Sequence, residues 1–200
     1  MGSIVVMGVS GAGKTQVATA LAKLLDRPFC EGDALHPPAN IAKMSAGIAL
    51  TDEDRWPWLD KVGAWLAANP EGIATCSALR RVYRDRILAL APATRFVMLD
   101  VPEAALRDRM IHRPGHFMPV SLLDSQLATL ERPGADEPAV TVAEAGDAHA
   151  TAVAIAEALF EAAPARSPAP PPSQDNVLGG GAGERAGAAS PMPINPAGAA

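Results

Sequence analysis

The octet Gly8-Val9-Ser10-Gly11-Ala12-Gly13-Lys14-Thr15 lies between a short apolar run, Ile4-Val5-Val6-Met7, and a segment with Val17, Ala18, Leu21, Leu24 and Leu25 at helical spacing. Few segments constrain a fold so tightly. The glycines let the backbone curl without Cβ clashes, so successive N–H groups turn inward and the following helix adds its positive end. This is a phosphate-binding loop. Lys14 reaches the β and γ phosphates of a nucleotide, and the Thr15 hydroxyl suits Mg²⁺, a hard cation that prefers oxygen. All eight residues are candidate nucleotide ligands.

The rest of the chain keeps the rhythm that this start implies. Strand-like runs at Ile4 to Met7, Pro28 to Cys30, Ile73 to Cys76, Phe96 to Leu99 and Ala139 to Val142 alternate with helical segments. That alternation predicts a five-stranded parallel sheet covered on both faces, with ligands beyond the carboxyl ends of the strands. A helix over 58–69 carries Trp58, Leu59, Val62, Trp65 and Leu66 on one stripe, which reads both tryptophans as core. The globular part is expected to span 1–163. From Pro164 the chain is Pro, Ala, Gly and Ser with few large apolar side chains, so 164–200 reads as a disordered tail.

Composition removes other classes. A formal net charge of −5 offers nucleic acid no electrostatic footprint. No apolar run approaches membrane-spanning length, and no basic segment followed by a hydrophobic one opens the chain, so a cytoplasmic protein is expected. Cys30 and Cys76 match no metal or redox spacing and read as small residues buried at strand ends. No Asn-Lys-x-Asp segment that would read guanine occurs, which argues against a nucleotide-dependent switch.

The chemistry then belongs to the segments after the strands. Asp33, after the second strand, is the leading catalytic candidate: a carboxylate across from the phosphate loop accepts a proton from a substrate hydroxyl or holds Mg²⁺ through water. His36 follows as a donor to a substrate oxygen, with a turn histidine as the alternative. Arg80, Arg81 and Arg84 stand at a helix start, where cations are disfavoured unless an anion sits beside them. Arg109 and Arg113 are four apart on one helix face before Pro114-Gly115, and a mobile lid over about 107–119 would close both on the transferring phosphoryl group. Asp100, ending an apolar strand, is a weaker metal candidate that also fits a helix cap.

Assembled, these segments resemble the gluconate kinases, small P-loop kinases related to shikimate and adenylate kinases. The likeness covers about residues 4–160. Besides the loop it runs through Gly32-Asp33-Ala34-Leu35-His36-Pro37, Asn40-Ile41-Ala42-Lys43-Met44, Leu50-Thr51-Asp52-Glu53-Asp54-Arg55-Trp56-Pro57-Trp58-Leu59, Cys76-Ser77-Ala78-Leu79-Arg80-Arg81-Val82-Tyr83-Arg84-Asp85, Arg113-Pro114-Gly115-His116-Phe117 and Ser125-Gln126-Leu127-Ala128-Thr129-Leu130-Glu131. Ala49 departs from the proline common in the family, without removing a chemical group. The resemblance implies a three-layer α/β/α P-loop kinase fold with a mobile lid, and ATP- and Mg²⁺-dependent phosphorylation of D-gluconate at its terminal hydroxyl. It also implies a sugar-acid site of Asp33, His36, Arg55, Arg81 and His116, and a homodimer, since family members are often dimers. A planar guanidinium pairs with a carboxylate through two hydrogen bonds, so Arg55 or Arg81 suits the substrate's carboxylate. A shikimate or nucleoside monophosphate kinase is the neighbouring alternative.

Overall fold

The computed structural model describes residues 2–112 and 120–162, with side chains from 123 onward in the second stretch. Residues 113–119 of the expected lid, with Arg113 and His116, and the expected tail from Pro164 lie outside the described residues.

The chain runs β1 (Ile4–Met7), α1 (Lys14–Leu25), β2 (Phe29–Cys30), a 3₁₀ turn (Gly32–Leu35), α2 (Pro38–Ser45) and α3 (Asp52–Ala68). It continues through β3 (Ile73–Cys76), α4 (Arg81–Leu90), β4 (Arg95–Asp100), α5 (Glu103–His112), α6 (Val120–Thr129), β5 (Ala139–Ala143) and α7 (Ala148–Glu161). The five strands form one sheet in the order β2-β3-β1-β4-β5, and every pairing is parallel. Parallel strands need crossovers, and each crossover here delivers a helix to one face.

The alternation of side chains along β1 and β4 sorts the two layers. Ile4, Val6, Val97 and Leu99 face α1 and α7, burying Val17, Leu21, Ile155 and Leu159. Val5, Met7, Phe96 and Met98 face α3 and α4, burying Trp58, Leu59, Tyr83 and Ile87. Both faces of β1 are covered and its four residues are fully buried, as the uninterrupted apolar run requires. The expected α/β/α sandwich is the observed one.

Two local readings change. The second long helix starts at Asp52 rather than Trp58, because Thr51 and Asp54 form a capping box. Pro57 rides inside α3, removing one backbone donor without ending the helix. The segment after His36 forms α2 with Pro38 in its first turn, where the missing N–H costs nothing. Cys30 is half-buried rather than buried, while Cys76 is fully enclosed and burial pushes its thiol up to about 12.

Candidate active site

The phosphate loop emerges from the carboxyl end of the central strand, between β3 and β4. Gly11 and Gly13 hold φ of 83° and 82°, left-handed values that a side chain resists, and Gly13 serves as the N-cap of α1. Lys14 turns back to donate to the Val9 carbonyl at 3.0 Å, and the Ser10 N–H donates to Gln126 Oε1 of α6 at 2.7 Å. These contacts fold the loop into a cup that opens on a cleft of ≈ 830 Å³. Ser10 through Val17 line it, together with Glu31, Asp33, Asp108, Arg109, Glu144, Gly146, Asp147 and Thr151.

Asp33 therefore faces the same cleft as Lys14 and Thr15. Its position is set from beneath. The Gly32 N–H donates to Thr75 Oγ1 at 2.9 Å, the Thr75 hydroxyl donates to Glu31, and the Trp58 indole donates to the Gly32 carbonyl at 2.8 Å. A Cβ on Gly32 would stand 1.8 Å from the Thr75 carbonyl oxygen, so only glycine lets the loop sit this low on β3. Trp58 is core, as expected, and also a strut under the loop that carries Asp33.

Arg109 is aimed at the phosphate loop. Its Nη1 donates to the Gly11 carbonyl at 3.3 Å, while Nη2 straddles both oxygens of Glu144 at 2.7 and 2.5 Å. Glu144, Gly146, Asp147 and Thr151 escaped the sequence reading. The only signal they carried is that they follow β5, at the ligand-binding edge of the sheet.

His36, Arg55 and Arg81 do not line this cleft. His36 stacks on Trp58 with ring centroids 4.0 Å apart, and burial lowers its pKa to about 4, so the ring is neutral at neutral pH. Arg55 donates to the Leu50 carbonyl at 2.5 Å and lies over the Tyr83 ring. The Tyr83 hydroxyl donates to Asp52 at 2.5 Å and holds that carboxyl below its usual range.

The arginine-rich start of α4 resolves differently from the expectation of a bound anion. The chain supplies its own carboxylates. Glu131 accepts from the Arg81 N–H at 2.7 Å and so occupies the positive end of the helix. Arg80 pairs with Asp52 at 2.7 Å, Arg81 with Asp136 at 2.7 Å, and Arg84 is buried against Glu137. The link before α4 includes Ala78 at φ 42°, a strained conformation for a residue with a Cβ. Asp100 neither caps α5 nor reaches the cleft; it accepts from Arg132 at 2.7 Å.

For Mg²⁺ the donor chemistry fits. Thr15, Asp33 and Glu31 present hard oxygens to one cleft beside the phosphate loop. Among the described residues no cluster of three or more His, Cys, Asp or Glu could form a protein-only cage. No described helix is long and apolar enough to cross a membrane.

No protein-family model matches the chain. Individual proteins do. It is 53% identical over 150 residues to a gluconokinase of Gluconobacter oxydans, covering 73% of this chain and 83% of that protein. It is 47% identical over 139 residues to the thermosensitive gluconokinase of Escherichia coli, covering 68% and 74% respectively. The crystal structure of a gluconokinase from Sinorhizobium meliloti superposes with a TM-score of 0.70 at 50% identity, over 80% of this chain and 96% of that one. With this similarity in sequence and in fold, on a scaffold that carries a complete phosphate-binding loop, the chain belongs to the gluconokinase family of P-loop kinases.

Proposed function

We propose that the chain transfers the γ-phosphoryl group of ATP to the terminal hydroxyl of D-gluconate, yielding ADP and 6-phospho-D-gluconate. The observation that carries this reading is the shared cleft of Lys14, Asp33 and Arg109, with a cation for the phosphates and a carboxylate for the acceptor hydroxyl.

The phosphates lie in the amides of Gly8 to Thr15, and Lys14 exchanges the Val9 carbonyl for their oxygens. Asp33 orients the gluconate hydroxyl and takes its proton. The hydroxyl oxygen bonds to the γ-phosphorus as the bond from phosphorus to the bridging β–γ oxygen breaks, and the electron pair leaves with ADP. Arg109 leaves Glu144 to meet the charge on the transferring group; Arg113 is its proposed companion. Thr15, with Asp33 through water, would hold Mg²⁺, which supplies charge neutralisation on the β and γ oxygens. Arg55 or Arg81 pairs with the gluconate carboxylate, and His36 and His116 contact its hydroxyls. Residues 1–163 form the catalytic domain, with 107–119 as a closing lid and 164–200 as a tail outside the chemistry. The setting is cytoplasmic and the assembly a homodimer.

A coupled ADP-release assay with D-gluconate, shikimate and nucleoside monophosphates tests the reading. Gluconate-dependent ADP release is expected. Turnover only with shikimate or with a nucleotide overturns it.

A further inference from the structure

Asn40 is a buried amide on α2. One turn before it, His36 leads into Pro37-Pro38, whose rings fix the backbone between the two residues. The Asn40 N–H donates to the Pro37 carbonyl at 2.9 Å, so the side chain returns toward the imidazole.

The Asn40 Nδ2 group has two partners. It donates to the Asp54 backbone carbonyl at 2.8 Å and stands 3.3 Å from His36 Nδ1. The first partner fixes the amide's orientation, because a carbonyl can only accept and must therefore face the NH₂ end. The second then has one reading. An NH₂ group offers only hydrogens, so the contact is a hydrogen bond solely when Nδ1 bears none. Burial favours the uncharged ring, with the Asp33 charge opposing this and Arg55 and Lys61 adding to it. A neutral imidazole with a bare Nδ1 carries its proton on Nε2. Among the described residues nothing accepts from Nε2, and no fully buried side-chain nitrogen or oxygen lacks a partner, so Nε2 reaches solvent.

We infer that Asn40 is a positioning residue that fixes His36 as a neutral Nε2–H donor to an oxygen of the polyhydroxy-acid acceptor. This rests on the phosphoryl-transfer reading above. The arrangement is gripped from a second point: Lys43, on the same helix, pairs with the Asp54 carboxylate at 2.7 Å, so α2 holds one residue of α3 by both backbone and side chain. A neutral donor binds a hydroxyl or carboxylate oxygen without adding charge beside Asp33, which needs to accept a proton.

The test is imidazole ¹⁵N NMR on the full chain at neutral pH. The unliganded protein is expected to show a protonated Nε2 and a bare Nδ1 for His36, and added gluconate is expected to shift the Nε2 resonance. Asn40→Asp places an acceptor beside Nδ1, so at a pH where the ring stays uncharged the proton should move to Nδ1 and leave Nε2 bare. The KM for gluconate should then rise about tenfold, the loss of one hydrogen bond, while the KM for ATP is unchanged. His36→Gln, which keeps a donor near the Nε2 position without needing Asn40, should retain more gluconate affinity than His36→Leu. A wild-type ring that is charged or protonated on Nδ1 overturns the inference even if gluconate is the substrate. An Nε2–H ring that gluconate leaves unshifted overturns its substrate half. Should Asn40→Asp fail to fold, the wild-type spectrum and the His36 pair decide alone. Failure of the phosphoryl-transfer reading itself registers separately, as absent gluconate-dependent ADP release.

Discussion

Replacing Arg84 by methionine should damage this protein more than any other single change to a charged side chain outside the cleft. Arg84 is fully buried and Glu137 nearly so, and the two meet through a fork at 2.5 and 2.9 Å. The guanidinium also donates to the carbonyls of Ala78 and Glu131 at 3.1 and 3.0 Å, and Glu137 accepts from the Gly134 N–H at 2.8 Å. Methionine fills much of the volume but leaves a buried carboxylate without its cation. Breaking one side of such a pair costs about 3–5 kcal/mol, which for a domain of this size lowers the thermal midpoint by ~6–20 °C. The pH dependence carries a sign that simple cavity formation lacks. In the wild type Arg84 holds the Glu137 carboxyl below its usual range. Its stabilisation is therefore present above the ordinary carboxylate range and fades as pH falls through the depressed value. In Arg84→Met burial raises the same carboxyl, so protonation relieves the variant as pH falls through the raised value. The stability gap should narrow between neutral and mildly acidic pH, as read by urea unfolding of both proteins at several pH values. A gap below about 1 kcal/mol at neutral pH, or one that widens on acidification, refutes the reasoning.

Lys14→Ala should cut kcat by roughly 10²–10³ while leaving the thermal midpoint nearly in place, because the side chain bonds the loop but lies outside the core; near-normal turnover would refute its role. Gly32→Ala should lower the midpoint by the equivalent of ~1–3 kcal/mol or more and reduce turnover with it, since its Cβ meets the Thr75 backbone at 1.8 Å; differential scanning fluorimetry and the ADP assay read the two effects. Thr51→Ala removes the side chain that accepts from the Asp54 N–H at 3.3 Å, and should cost about 0.5–2 kcal/mol in chemical denaturation.

The sheet and the phosphate loop were legible because their signals are local. Four consecutive apolar residues, two left-handed glycines and a lysine state their own structure. Strand order was not legible, since it depends on which distant strands flank β1. The start of α3 was missed because its box uses aspartate at the third position, where glutamate or glutamine is the stronger signal. That Asp33 lines the cleft could be read from its place after β2, and that Arg109 does so from its place on the helix that follows β4. The fate of Arg84 could not, because its partner lies 53 residues downstream and a buried arginine looks, in sequence, like any exposed one. The same holds for Glu144: an acidic residue after β5 gains meaning only once Arg109 is brought against it, 35 residues away in the chain.

β1 comes first among the described strands, yet its partners on both sides lie far downstream. β1 hydrogen-bonds to residues 73–76 on one side and 95–98 on the other, and to nothing nearer in the chain. Until residues 95–98 have been synthesised, the phosphate loop has no strand paired on both sides behind it. Stabilisation of the fold by a ligand in that loop can therefore begin only after residues 95–98 have joined the sheet.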